Sequence, residues 1–474
     1  MNVRFHLVLV FCLAVQCAPF ALSEQPNVLV LLTDDQRFDD FNETFMPVTK
    51  REVCDKGLDF KKAYVTTPAC CPSRSSIFTG MYTSQHGVRA NPYQLKKPTF
   101  AELLNGHYFA GHVGKYLNTW NGSRRPEFDF WVAFAGGSQD YKDPTLNVNG
   151  EWKAVDGYIT DIFGSKALEF LEASLRQDKP FLLHLSFNAP HYPATPPKED
   201  KGRFAALLSN PRPPSFNTSV QQRQDKPVWL RKKRAWNAQE IAGNDSFRGH
   251  QRETLPAVDR AVEDILSWLE THDQLSNTLI FFLSDNGVMS GEHSLKSKDT
   301  VYEEAIHVPY CVRWDGHFPA RESDALVANI DIAPTIFASA GQAVPPTFAG
   351  VSLLPLAEED APWREELLIE GFRRSGGRRP FAAVHTGRYV FVENSTKGNK
   401  FDINRTELYD LATDPYELVN LTHDPVHSEV KNDLRIRLNE LLRNFRGSRS
   451  FIVPKGIKGP ARFPNPLRRK EKSS

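Results

Sequence analysis

Two short pairs of hard oxygen ligands are the first residues in this chain whose types could do chemistry. Asp34-Asp35 and Asp285-Asn286 offer carboxylate and amide oxygens, the donors that suit calcium or magnesium rather than zinc. Both sequences are also common in turns, so either pair alone is weak evidence. However, each pair directly follows a continuous apolar run, 27–32 or 278–283, which is typical of a buried strand. Together the pairs predict one divalent metal site.

A cysteine motif lies between these pairs, in the segment 70–80 (CCPSRSSIFTG). Cys70 stands where a loop is expected to enter a helix, and a helix N-terminus attracts anions through its N–H groups and dipole. With Pro72 and Arg74 at their spacing and the Thr-Gly ending, the segment resembles the signature that commits a cysteine to become formylglycine in the sulfatase family. The alternative is that Cys70 is a buried structural cysteine beside Cys71.

The resemblance to sulfatases covers nearly the whole mature chain and places it in the alkaline-phosphatase-like superfamily. It implies that a formylglycine-generating enzyme converts Cys70 during maturation. One hydroxyl of the hydrated aldehyde then attacks sulfur and the other later expels sulfate. It also implies one bound metal ion, Ca²⁺ with Mg²⁺ as the less favoured alternative, and these metal ligands: Asp34, Asp35, Cys70, Asp285 and Asn286.

Further cations are needed at such a site, because three carboxylates around one divalent ion leave little positive charge for an anionic ester. Arg74, Lys115 and Lys298 match the sulfate-contacting positions of the family. Lys296 is a close competitor to Lys298, which is favoured because Tyr302 follows it at the family's spacing. The resemblance assigns Asp285 to accept the proton of the attacking hydroxyl. His191, with Lys298, assists the leaving alcohol, a role that suits an imidazole.

One position departs from the family pattern and bears on the substrate. Many sulfatases have histidine two residues after the lysine of Gly-Lys, and here that residue is Leu117, so the base that releases sulfate is not identified. The sequence of residues 114–118 (GKYLN) resembles the branch containing N-acetylglucosamine-6-sulfatases and extracellular heparan sulfatases. This implies a sulfated carbohydrate substrate, such as an amino sugar of a glycosaminoglycan.

Three other functions stay open: an arylsulfatase for small esters, a phosphoesterase of the same superfamily, and a catalytically silent glycan-binding protein. The segment 223–234 is basic and interleaved with Trp229, with Trp236 just beyond it. It could line a groove for a sulfated polysaccharide or form a solvated loop. The formal charge of +1 provides no global field for nucleic acid.

The elements that position these residues are predicted to form an α/β fold. The apolar runs 27–32, 181–187 and 278–283 predict buried, mostly parallel strands, and an apolar stripe over 255–269 predicts a helix. The expected architecture is a doubly wound sheet between helices, with ligands outside the carboxyl ends of the strands. A catalytic domain at 24–364 is predicted to precede a smaller C-terminal α+β subdomain at 365–446.

The chain ends predict export. Residues 1–23 read as a cleaved signal peptide, no later run spans a bilayer, and the basic tail 447–474 is expected to be poorly ordered. The compartment would be lysosomal or extracellular in a eukaryote, and periplasmic or secreted in a bacterium.

Cys54, Cys71 and Cys311 could form one disulfide, whose pair stays open. Glycosylation triplets begin at these positions: Asn42, Asn121, Asn217, Asn244, Asn394, Asn404 and Asn420.

Overall fold

The computed structural model of the chain describes residues 25–207, 212–372, 380–395 and 401–446, with the backbone alone at 401–404. The predicted signal peptide 1–23, the basic tail 447–474 and the side chain of Asn404 lie outside the described part. The domain boundaries proposed from the sequence stay predictions.

Sixteen strands occur in the described ranges. They are β1 Asn27–Thr33, β2 Leu58–Tyr64, β3 Phe109–Gly114, β4 Phe130–Ala133, β5 Thr145–Val148, β6 Glu151–Ala154, β7 Phe181–Ser186, β8 Thr278–Ser284, β9 Met289–Ser290, β10 Lys296–Ser297, β11 Tyr310–Arg313, β12 Arg321–Ala328, β13 Leu367–Gly371, β14 Phe381–His385, β15 Tyr389–Ser395 and β16 Phe401–Asp410. The α-helices of the same ranges are α1 Pro47–Thr49, α2 Cys70–Thr79, α3 Thr83–His86, α4 Phe100–Leu103, α5 Ile159–Ser174, α6 Val228–Arg231, α7 Ala238–Thr271, α8 Glu303–Ile306, α9 Ile332–Ser339 and α10 Ser428–Leu441.

Ten of these strands form one large mixed sheet in the order β12-β2-β11-β8-β1-β7-β3-β4-β5-β6. Its centre is parallel: β1 pairs with β7 and β8, and β3 pairs with β7 and β4. Strand β11 runs antiparallel to its neighbours, as do β5 and β6 at one edge. The carboxyl ends of β1, β3, β7 and β8 therefore meet at one edge of the sheet.

The central strands are continuous in apolar residues because both of their faces are covered. In β1, Val28, Val30 and Leu32 pack into one core cluster, whereas Leu29 and Leu31 pack into another on the opposite face. The first cluster includes residues of α2 and α9, and the second includes residues of α5 and α7. The predicted sandwich of a mostly parallel sheet between helices is confirmed.

Helix α7 carries the predicted apolar stripe on its buried face. Its six stripe residues are all buried in the second core cluster: Leu255, Val258, Val262, Ile265, Leu266 and Leu269. The helix begins with a capping box, in which the Asn237 side chain accepts from the Glu240 N–H and the Glu240 side chain accepts in return. This cap fixes where the chain enters the helix.

The C-terminal part is a four-stranded antiparallel sheet, ordered β13-β14-β15-β16, with α10 packed against it. Leu434, Leu438 and Leu441 of α10 are buried in a third core cluster that this sheet shares with residues around α8. The expected smaller α+β subdomain is thus confirmed, and its core is continuous with the catalytic part.

Cysteine and asparagine environments settle part of what the sequence left open. Cys54 and Cys311 form a disulfide, while Cys70 and Cys71 are buried thiols. Among the glycosylation triplets, Asn121 is exposed, whereas Asn244 and Asn394 are buried and donate their amides to protein oxygens. In the described ranges, no helix has the length and apolarity to cross a membrane.

Candidate active site

The predicted site residues converge at the carboxyl edge of the parallel strands. Asp34-Asp35 follows β1, Lys115 follows β3, His191 lies in the loop after β7, and Asp285-Asn286 follows β8. Neighbouring parallel strands bring their loops together here, as is general for open α/β sheets. Residues 250 positions apart therefore touch: the Asp35 N–H donates to Asp285 Oδ1 at 3.1 Å.

Cys70 is the first residue of α2 and lies at the centre of this cluster. Its Sγ is 3.6 Å from Asp34 Oδ1 and 2.8 Å from Lys298 Nζ. The preceding residue, Ala69, supplies no side-chain cap to the helix, and the Asn91 side chain accepts from the Cys71 N–H. The thiol marks where the oxygens of a formylglycine would stand.

Arg74 lies one turn further along α2 and ties three parts of the edge together. Its Nε donates to Asp285 Oδ2 at 2.7 Å, and its Nη1 donates to the Lys115 carbonyl at 2.8 Å and to Ser186 Oγ at 2.6 Å. The side chain has no solvent exposure. Arg74 therefore links Asp285 to the loop after β3 and to the end of β7.

Two lysines place their ammonium groups on the carboxylates of the first pair. Lys115 Nζ donates to Asp34 Oδ2 at 2.5 Å, and Lys298 Nζ donates to Asp35 Oδ1. Lys298 is buried, whereas Lys296 is exposed and lies over the Trp236 ring. Of the two competing lysines, Lys298 is the one that contacts Cys70.

His191 lies at the rim of the cluster and is partly exposed. Its Nε2 is 3.8 Å from Asp35 Oδ2, and its Nδ1 is 2.8 Å from the carbonyl of Tyr192. The ring thus reaches the site from the solvent side.

The residues at this edge fit a hard metal ion. The ligand atoms of Asp34, Asp35, Cys70 and His191 all lie within 4.8 Å of one another. Asn286 donates through Nδ2 to Asp35 at 2.6 Å, while its buried Oδ1 has no hydrogen-bond partner within the described ranges. An unpartnered buried oxygen is costly unless something binds it. Asp285 touches this group through the backbone of Asp35, and its own Oδ2 is held by Arg74.

The charges of the cluster are strongly interdependent. Burial raises the pKa of Asp34, the Asp285 carboxylate raises it further, and Lys115 opposes both. Burial also acts on Asp35, but the Lys298 ammonium brings the pKa of this carboxyl below its ordinary value. Burial raises the pKa of the Cys70 thiol to about 12, against the pull of Lys115 and Lys298. The protein groups around an unmodified Cys70 therefore favour its neutral thiol, which is the poorly nucleophilic form of cysteine.

Some functional contacts were not predicted from the sequence. Ser186, which holds Arg74, is the polar last residue of the apolar strand β7, and that position was the available signal. Leu117, the departure from the family pattern, is buried in the first core cluster. Three other histidines near the motifs have protein partners that suit structural roles: His86, His184 and His293.

The basic segment 223–234 does not form one continuous exposed surface. Arg223 is buried and donates to the His293 carbonyl at 2.8 Å, and Lys226 is buried and donates to Tyr409. Arg234 is exposed and forms two hydrogen bonds with Glu240. A role for the remaining exposed charges in glycan binding stays a prediction.

Comparisons with known proteins place this geometry in a family. A model described as Sulfatase matches residues 26–342, and one described as N-sulphoglucosamine sulphohydrolase, C-terminal, matches residues 291–444. Human N-acetylglucosamine-6-sulfatase is 33% identical over 396 residues, which cover 77% of this chain and 70% of the human protein.

Other relatives are longer than this chain. A Drosophila melanogaster extracellular sulfatase SULF-1 homolog is 32% identical over 388 residues, which are 76% of this chain and 34% of that protein. The match to a Caenorhabditis elegans Sulf-1 homolog covers 55% of its length. A solved structure in complex with its substrate D-glucosamine-2-N,6-O-disulfate has a TM-score of 0.78 at 23% identity and covers 91% of this chain and 100% of its own. That likeness shows the fold.

Proposed function

The chain belongs to the sulfatase family and is a sulfuric ester hydrolase, and on that premise we propose that it removes sulfate from an amino sugar of a glycosaminoglycan or similar polysaccharide. The observation that carries the proposal is the position of Cys70. It begins helix α2, and its Sγ lies 2.8 Å from Lys298 and 3.6 Å from Asp34. The names of the relatives support an amino-sugar substrate.

The reaction begins with a modified Cys70. Its formylglycine hydrate would supply a hydroxyl nucleophile, and one Ca²⁺, with Mg²⁺ less favoured, would supply positive charge that lowers the pKa of that hydroxyl. The proposed metal ligands are Asp34, Asp35, residue 70, Asp285 and Asn286. The unpartnered amide oxygen of Asn286 and the neighbouring carboxylates of Asp34 and Asp35 support this assignment.

The remaining residues act on protons and on the sulfate. Asp285, oriented by Arg74, accepts the proton of the attacking hydroxyl. Lys115 and Lys298 hold the sulfate oxygens, since their buried ammonium groups are the cations that an anionic ester needs. His191, with Lys298, donates a proton to the leaving alcohol. Sulfate then departs as the aldehyde forms again.

The proposed location is outside the cytosol, in the lysosome or extracellular space of a eukaryote or exported by a bacterium. The disulfide between Cys54 and Cys311 supports this, since disulfides persist in oxidising compartments. The names of two relatives as extracellular sulfatases point the same way.

Assays of the full chain made together with a formylglycine-generating enzyme test the proposal. The panel contains N-acetylglucosamine 6-sulfate, N-sulfated glucosamine, an aryl sulfate and a phosphate monoester. We expect release of sulfate from an amino sugar, and a Cys70 peptide that is lighter than the thiol and reacts with hydrazines. Hydrolysis of the aryl or phosphate ester alone would contradict the substrate assignment. A fully active protein with an intact Cys70 thiol would contradict the mechanism.

A further inference from the structure

The loop after β7 forms a turn over residues 188–192, which we name the histidine turn, and every backbone carbonyl of this turn has a hydrogen-bond partner in the protein. The Asp34 N–H donates to the Ala189 carbonyl at 3.0 Å, and Gln251 Nε2 donates to the Pro190 carbonyl at 3.2 Å. The first of these bonds ties the turn to the acidic pair that follows β1. Since surface loops commonly expose their backbone to water, this complete set of partners fixes the turn closely.

Tyr141 supplies the bond at the centre of the histidine turn. Its side chain is buried in the second core cluster, and its hydroxyl lies 2.7 Å from the His191 carbonyl and 3.1 Å from the Asn188 carbonyl. A hydroxyl has one proton to donate, so the shorter distance makes His191 the main acceptor. Burial raises the pKa of Tyr141 well above its ordinary value, and the group therefore keeps the proton that it donates.

The imidazole of His191 is oriented by a second carbonyl of the same turn. Its Nδ1 lies 2.8 Å from the Tyr192 carbonyl oxygen, which can only accept, so Nδ1 carries a proton. The exposed Ser138 donates through Oγ to the same oxygen at 2.9 Å. Nε2, which is 3.8 Å from Asp35 Oδ2, is therefore the nitrogen that faces the site and is free to exchange a proton.

The conformation at the end of the turn is imposed by its surroundings. Ala194 is buried, has a φ of +52° and donates its N–H to the His191 carbonyl at 2.9 Å. A positive φ costs free energy for a residue with a side chain and persists only where neighbouring contacts hold it. The His191 carbonyl is thus held by two donors, one from the following backbone and one, Tyr141, from the core.

From these contacts, and resting on the proposed function, we propose that Tyr141 is a positioning residue for proton donation by His191, with Ser138 as a weaker support of the ring. Tyr141 holds the backbone of His191, and Ser138 holds the carbonyl that bonds the imidazole. A sugar alcohol is a poor leaving group without a proton, whereas a nitrophenol leaves readily without one. The two supports therefore adapt the site to sulfate esters of sugars.

The test removes each hydroxyl and compares two substrates, a sugar 6-sulfate and 4-nitrophenyl sulfate. On the sugar, Tyr141→Phe should lower kcat about tenfold, because a displaced general acid loses much of its effect. KM should stay within about twofold, since Tyr141 acts through the backbone of His191. Ser138→Ala should lower kcat on the sugar about threefold, the size of one hydrogen bond. On the aryl ester, both variants should stay within about twofold of the wild type.

A double-mutant cycle separates an effect through His191 from a general loss of structure. In a His191→Ala protein, the further change Tyr141→Phe should cause no additional loss of kcat on the sugar, because the group that it positions is gone. Equal losses in the two backgrounds would overturn the proposal. Wild-type kcat on the sugar in both Tyr141→Phe and Ser138→Ala would overturn it as well. If the protein does not cleave the aryl ester, the cycle on the sugar decides alone.

Tyr158→Phe is the matched control. The Tyr158 ring packs near that of Tyr141, with centroids 5.8 Å apart, but its hydroxyl donates to the Thr195 carbonyl, outside the histidine turn. Its loss should leave kcat within about twofold. Melting temperatures identify any variant that fails to fold, and the exposed Ser138→Ala keeps the test valid if Tyr141→Phe is unstable. Wild-type kcat in His191→Ala, or a wild-type protein that releases sulfate from no sugar, would instead overturn the proposed function.

Discussion

Two groups of charged residues are equally buried, one at the carboxyl edge of the large sheet and one next to the C-terminal sheet. The two groups differ in how completely their polar atoms are hydrogen-bonded. In the second group, which we name the Lys226 cluster, Lys226 donates to Tyr409 at 3.0 Å and Tyr409 donates to Glu407 at 2.6 Å. Tyr302 and Asn394 also donate to Glu407, each at 2.9 Å. Both carboxylate oxygens of Glu407 are thus bonded to neighbouring side chains.

At the sheet edge, by contrast, carboxylates lie close to one another, and some buried polar atoms of the described residues have no hydrogen-bond partner. Within the described residues, Arg74 Nη2 and Asn286 Oδ1 make no hydrogen bond, and the Asp285 carboxylate raises the pKa of Asp34. A closed network stabilises the fold, because each buried group is compensated. Groups left without hydrogen bonds can be compensated by a bound ligand, which is what we expect at a candidate active site.

Among changes to the two clusters, we expect substitution of Cys70 to have the largest effect on activity. Cys70→Ala should lower kcat by a factor on the order of 10⁴ or more, because it removes the proposed nucleophile. Sulfate release from a sugar 6-sulfate measures the loss. Cys71→Ser is the matched control, since Cys71 is equally buried but bonds the Tyr93 carbonyl. A Cys70→Ala protein that retains wild-type turnover would show that the edge cluster does not depend on Cys70 for catalysis.

Removal of the proposed metal ion should give the next largest effect. Dialysis against a chelator is expected to reduce activity on the order of 100-fold, because the carboxylates then repel an anionic substrate. Calcium should restore activity better than magnesium, as measured by titration of each ion into the stripped enzyme. Full activity after verified removal of all divalent ions would mean that the unpartnered Asn286 oxygen does not bind a metal that the reaction needs.

The sequence predicted the edge cluster far better than the Lys226 cluster, for a physical reason. Asp34 and Asp285 follow apolar strands, and parallel strands must bring their carboxyl ends together, so their proximity follows from the pattern. Lys226 lies in a loop and Glu407 in an antiparallel strand, and no periodicity relates them. Their contact depends on how the C-terminal sheet docks, which local sequence does not encode.

Non-local contacts also explain the other features that were not predicted from the sequence. The pairing of Cys54 with Cys311 depends on β11 lying beside the segment that follows α1, a non-local contact. Lys226 was grouped with surface charges because it lies in a basic segment, but the structure buries it. Lys298 was separated from Lys296 by family spacing, and only the backbone path of the hairpin shows where each ammonium group lies.

Removing a charge from the Lys226 cluster should lower the free energy of unfolding rather than the catalytic rate. Lys226→Met leaves the buried Glu407 without its compensating charge, and we expect the free energy of unfolding to fall by about 3 kcal/mol. Urea denaturation monitored by tryptophan fluorescence measures this loss. Lys232→Met removes an exposed charge from the same segment and should change stability by less than about 0.5 kcal/mol. Equal stability of the two variants would show that the closed network contributes little.

A buried pair of histidines gives a further contrast with the charged residues of the sheet edge. These two titratable side chains are kept neutral by burial. His112 and His184 face each other on β3 and β7 with their Nδ1 atoms 3.0 Å apart, and neither side chain is exposed. Burial lowers the pKa of His112 to about 3 and lowers that of His184 as well. In the unfolded chain a histidine titrates near 6.5. The unfolded state therefore binds more protons below that pH, and stability is lost as the pH falls from about 6.5 toward 3.

The expected size follows from linkage: His112 alone removes about 2 kcal/mol of stability between pH 7.5 and pH 5. His112→Asn should reduce the measured loss by that amount, in urea unfolding at the two pH values, although it lowers stability at both through weaker packing. His107→Asn at an exposed position is the matched control for the substitution itself. If His112→Asn keeps the full wild-type pH dependence, the pair is not neutral in the folded protein. Buried charge would then extend from Arg74 into the core, and the contrast between an open edge and a neutral interior would fail.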